Sequence, residues 1–169
     1  MVYSAAATSL MYALVKYLND FNVFQIVFFR SIGTLAFTIP LIIKNKIPIL
    51  GNNKSILILR GILGLISMLL FFQSIKFLEL GISVSIRYTS PVFATFLAFV
   101  LLKEKIKTMH WLFLIISLFG VLIIKGFGLN IDLTGFLYAL FSAIFLGFAL
   151  VVTNKIGKTE DPLVIVSYF

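Results

Sequence analysis

The chain has 169 residues, of which 61% are apolar and 12% charged, against roughly 45–50% and about 25% in an ordinary soluble domain. Nineteen phenylalanines against six acidic residues cannot supply the polar exterior a small water-soluble domain requires. A soluble enzyme, a disordered tail and a disulfide scaffold are thereby excluded, and a mean hydropathy of +1.13 points the same way. Zero cysteines remove thiol catalysis and thiolate metal sites. The net charge of +8 fits basic residues flanking membrane helices better than a nucleic-acid surface. The composition predicts an all-α integral membrane protein whose partners are the lipid bilayer and no nucleic acid.

In chain order, residues 1–15 are short for a span, and their lack of a basic start argues against a signal peptide. Residues 24–43 carry one charge (Arg30), 56–75 one (Arg60), 80–102 one (Arg87) and 133–154 none. Each run reaches the roughly 20 residues that cross about 30 Å of hydrocarbon. Residues 111–124 are shorter and become a span if the helix starts near Thr108, with Trp111 as interfacial anchor and Lys125 snorkelling. Residues 162–169 are far too few. The expectation is five complete helices between two clipped ones, with Asp132 capping the sixth. Alternation typical of membrane β-strands is absent.

Lysines and arginines alternate in density between the connections. One set holds Lys44, Lys46, Lys54, Arg60, Lys103, Lys105, Lys107, Lys155 and Lys158; the other holds Lys16, Arg30, Lys76 and Lys125, with Arg87 as a fifth if it belongs there. The denser set should be cytoplasmic, which places the N-terminus inside. Shifting the sequence by 139 residues aligns Lys16 with Lys155, Asn22 with Asp161, and residues 24–27 with 163–166. A five-helix unit with an odd number of crossings would be followed by an inverted copy. On that reading residues 1–129 form a first unit and 130–169 the start of a second. The visible chain alone should then not transport, unless two copies complete the cavity as a dimer.

Three stretches carry a family resemblance: QIVFFRS at 25–31, the run from Arg60 to Ile106 that includes SIRYTSP, and GVLII at 120–124. In order and spacing they resemble the EamA-type drug/metabolite transporters. The resemblance implies a ten-helix inverted-repeat permease of the bacterial inner membrane, with a central cavity lined largely by the third and fourth helices of each unit. It is nearly silent about substrate. The first helix begins several residues late relative to the family pattern.

Polar residues inside the spans are the candidate substrate-binding groups. Arg87 lies about 10 Å below the outer boundary at helical rise, where a charge is costly unless it reaches water or a partner. Ser83, Arg87 and Ser90 share one face of an otherwise apolar helix. The arginine either snorkels to the headgroups or faces a cavity and holds an anionic group. Arg30, at similar depth, reads more readily as structural, and Gln73 could bind substrate or a neighbouring helix. Tyr88 could line the cavity or anchor at the interface. Ser67, Gly61 and Gly64 read as packing positions, and Pro91 should allow a bend.

No Asp, Glu or His lies within a predicted span, and no phosphate-cradling loop, catalytic triad or metal motif occurs. The sequence thus names no catalytic, cofactor or metal residue. It predicts a carrier for a small organic metabolite, anionic or zwitterionic, working by alternating access. An intramembrane lipid-modifying enzyme and a non-transporting assembly subunit are the alternatives.

Overall fold

The computed structural model describes residues 2–17, 21–48, 50–102, 132–157 and 159–169, with scattered positions between 109 and 123. All regular structure among them is helical: α1 (Val2–Tyr17), α2 (Val23–Lys44), α3 (Lys54–Phe77), α4 (Leu80–Arg87), α5 (Ser90–Leu102), α6 (Leu133–Ile156) and α7 (Pro162–Ser167). Three of these helices, together with the α4–α5 segment Leu80–Val100, are long and apolar enough to cross a membrane. The chain is an all-α polytopic membrane protein. The expected fifth span, with Trp111 and Lys125, lies outside the described residues.

α3 is the central helix and packs chiefly against α6, while α7 lies against α2. Its outward face (Ile58, Leu59, Ile62, Leu65) is exposed, as a surface bathed in hydrocarbon should be. Its inward face carries small residues that let neighbouring backbones approach. A Cβ added to Gly61 would lie 2.5 Å from the Tyr168 carbonyl oxygen, and one added to Gly64 would lie 2.9 Å from the Phe169 ring. Ser67 and Ser142 exchange hydrogen bonds, each hydroxyl donating to the other's carbonyl at 2.9 Å. These reciprocal bonds satisfy two fully buried hydroxyls and fix the α3–α6 register.

Charges from other elements cap both ends of α3. At its N-terminus Asn53 makes no side-chain cap. The buried Glu160 carboxylate, from the α6–α7 connection, instead accepts Asn52 N–H at 2.8 and 3.0 Å and Asn53 N–H at 2.8 Å. At the C-terminus Lys16 Nζ donates to the carbonyls of Ile75 and Leu78 at 2.6 and 2.9 Å. Anion at the start and cation at the end both complement the helix dipole. The Glu160 contact closes against Gly51, whose φ of +58° is a conformation glycine adopts without strain. There an added Cβ would meet Leu57 at 2.6 Å and the Glu160 carboxylate at 2.8 Å. Glu160→Ala should strand two N–H donors and cost about 1.5–3 kcal/mol, the usual worth of hydrogen bonds to a charged group. Thermal unfolding of the detergent-purified protein, with Glu160→Gln as a milder comparison, checks this.

Side chains supply the other caps. Asn22 accepts from Phe24 N–H on α2, Asp132 from Thr134 N–H on α6, and Asp161 from Leu163 N–H on α7. Asp132 therefore caps the helix for which its position suits it. Within α2, Ser31, Thr34 and Thr38 return their hydroxyls to the carbonyls of Val27, Arg30 and Thr34, which satisfies them in a medium without water.

Some helix ends recur at one spacing. α1 ends at Tyr17 and α6 at Ile156; α2 begins at Val23 and α7 at Pro162; Asn22 and Asp161 cap the latter two. Each pair is 139 residues apart, the offset at which the sequence matches itself.

The fourth span departs from its expected form. Instead of one helix over 80–102, α4 stops at Arg87 and α5 starts at Ser90, with a turn at Tyr88 and Thr89. Pro91 has no N–H for the Arg87 carbonyl, so the α-helical ladder fails there. Thr89 closes the turn by donating both its N–H and its hydroxyl to the Ile86 carbonyl, at 3.1 and 2.6 Å. What the proline position suggested as a bend is a two-residue break.

Candidate functional site

Three arginines point into the bundle beside α3. Arg87, at the last turn of α4, donates from Nη1 to Ser142 Oγ at 3.2 Å and lies 4.2 Å from the Phe71 ring centroid. Arg30 on α2 directs Nη1 at the Met68 sulfur and sits 5.8 Å from the centroid of the Phe169 ring. Arg60 on α3 lies 5.5 Å from the same ring and donates from Nε to Thr153 Oγ1 at 3.3 Å. No carboxylate pairs with any of them among the described residues. Each charge is held by an aromatic face and a neutral acceptor, and among the described residues the buried Arg60 Nη1 has no hydrogen-bond partner.

The site therefore gathers some of the sequence candidates and not others. Arg87 and Arg30 both come to the inner face of α3. Ser83 is fully buried, and its hydroxyl has no hydrogen-bond partner among the described residues. Ser90 is also buried, but the turn after Arg87 puts it on a different helix from Ser83. The polar stripe spaced along one continuous helix is thus divided between two. Tyr88, on that turn, is 76% exposed. Gln73 is half-buried on α3, beyond Phe71.

Two participants were not singled out by sequence. Arg60 counted only toward the basic end of the molecule, yet its head turns inward. Ser142 is an isolated hydroxyl in an apolar helix, and its one signal is that such residues in a span usually find an interhelical partner. A separate apolar groove of about 250 Å³ between α2 and α7, lined by Leu35, Ile39, Ile42 and Tyr168 among others, carries no charge.

The spans form a helical bundle with cations between them. The sequence profile of the EamA-like transporter family matches residues 1–126, and the chain belongs to that family. It is similar to human (Homo sapiens) "Solute carrier family 35 member G1", at 30% identity over 92% of this chain and 47% of the relative. It is also similar to "Pseudopaline exporter CntI" of Pseudomonas aeruginosa, at 29% identity over 95% of this chain and 57% of the relative. An "Uncharacterized transporter" of Clostridium kluyveri is 31% identical over 82% of this chain and 47% of its own. The chain thus spans about half the length of these relatives. No solved structure gives a significant match.

Proposed function

We propose that this chain supplies the first five-helix repeat and the start of the second of a secondary carrier that moves a small organic metabolite, anionic or zwitterionic, by alternating access. The family membership supports transport. The observation that carries the substrate class is the Arg87 guanidinium, which is turned toward α6 and, among the described residues, is bonded to a neutral hydroxyl and not to a carboxylate. A charge kept at membrane depth without a carboxylate is costly, and an anionic substrate group would offset that cost through bidentate hydrogen bonds.

The same reading assigns residues 1–129 to a first repeat and 130–169 to the beginning of an inverted second one. The 139-residue spacing of helix ends and caps supports it, and substrate sites of such carriers lie at the repeat interface. A dimer of two copies is the alternative way to complete the cavity. The proposed location is the bacterial inner membrane, N-terminus inside. The loops joining α2 to α3 and α6 to α7 meet through Glu160 and Asn52, and both belong to the lysine-rich set. Reporter fusions to the full-length protein should therefore read cytoplasmic at Lys54 and Lys105, and external at Lys76 and Asp132. External activity at Lys105 would overturn that orientation.

The experiment for the function is solute exchange by the full-length protein in proteoliposomes. Saturable exchange of an organic acid or amino acid is expected, and exchange limited to cations would refute the substrate class.

A further inference from the structure

The geometry points to a second anion subsite, formed by Arg30 and Arg60, which share the Phe169 ring; it rests on the carrier reading. Both guanidinium carbons lie within 6 Å of that one ring. An aromatic face attracts a cation but cannot neutralise it, so two cations sharing one ring repel each other until an anion joins them. Arg60 adds an independent observation: its Nη1 is buried and has no hydrogen-bond partner among the described residues. A buried guanidinium N–H left unmade costs free energy that a carboxylate or phosphate oxygen would recover.

The subsite's place in the fold also suits a substrate. Arg60, Gly64, Met68 and Phe71 follow each other on one face of α3 at helical spacing. Gly64 lies against the Phe169 ring and the Arg60 head, Met68 meets Arg30, and Phe71 meets Arg87. With the Arg60 head at the level of Gly64, the three cations form a ladder spanning roughly 10 Å at 1.5 Å per residue. Under the 139-residue offset Arg30 is the counterpart of Phe169, and α2 packs on α7. Equivalent residues that meet across related helices mark the pseudo-twofold axis of the repeat, so Arg30 stands on that axis opposite a phenylalanine. A metabolite with two anionic groups would place one between Arg30 and Arg60 and reach toward Arg87 with the other.

The test needs no knowledge of the substrate. Thr153, whose hydroxyl touches Arg60, is changed to cysteine in a cysteine-free full-length protein reconstituted in liposomes. Rates of modification by a negatively charged methanethiosulfonate (ethylsulfonate) and a positively charged one (ethyltrimethylammonium) are compared from each side of the membrane. The cation pair should favour the anionic reagent by about tenfold, the local enrichment expected of a charged cleft. Arg60→Gln or Arg30→Gln should collapse that ratio toward the value for a free thiol, and Arg60→Lys should retain most of it. A ratio unchanged by both glutamine variants, or no reaction with either reagent, would overturn the subsite. Reaction from one side only, under all conditions, would instead count against alternating access while leaving the charge ratio to decide the subsite.

Discussion

Arg87→Gln in the full-length protein should raise the apparent KM for an anionic substrate more than tenfold, with a smaller rise for Arg87→Lys. Losing a charge-assisted hydrogen bond costs about 1.5–3 kcal/mol, and lysine keeps the charge while losing the fork geometry. The arginine also ties α4 to α6 through Ser142, so a drop in KM performance could reflect packing alone. Ser142→Ala separates the two effects. It removes the neutral acceptor and disturbs the Ser67 pair, which should lower thermal stability, yet it leaves the cation in place and the substrate KM within a few-fold. Normal transport by Arg87→Gln would make the arginine a structural tie, and the proposed anionic substrate would lose its main support. Uptake kinetics on vesicles with matched protein levels give the answer.

The largest structural effect is expected at Gly61. A methyl group there would sit 2.5 Å from the Tyr168 carbonyl oxygen, a backbone atom that cannot swing aside, so α7 would have to move off α3. Overpacking of this kind typically costs about 1–3 kcal/mol, and Gly61→Val should cost more than Gly61→Ala. Gly33→Ala is the matched control, because nothing lies within 4 Å of its added Cβ and alanine is the better helix former. Size-exclusion profiles and melting temperatures of the three variants in detergent should rank them with Gly33→Ala highest and Gly61→Val lowest. Equal behaviour of Gly61→Ala and Gly33→Ala would contradict the close α3–α7 approach.

Local chemistry was legible in the sequence; long-range contact was not. Asp132 and the small residues of α3 announce a cap and a packing face by type and spacing alone. The 139-residue offset predicted that Asn22 and Asp161 would be equivalent, and both cap helices. The break at Tyr88 and Thr89 was half legible, since Pro91 marks where the ladder must fail but not how far the chain then turns. Glu160 shows the limit most clearly. In sequence it is a charged residue in a connection, and nothing local says that its carboxylate crosses 108 positions to reach Asn52. Arg60 and Ser142 were hidden for a related reason. Hydropathy records that a polar group lies in a span, but the direction it faces depends on which neighbouring helix packs there.

Substrate exchange through a cationic path is tested most directly by one measurement. Full-length protein in liposomes loaded with a defined mixture of organic acids, amino acids and polyamines should exchange acidic or zwitterionic solutes saturably. The double variant Arg60→Gln/Arg87→Gln should abolish that exchange while still reconstituting to wild-type levels. Exchange of the same solutes by the double variant at the wild-type rate, or wild-type exchange confined to polyamines, would contradict the account.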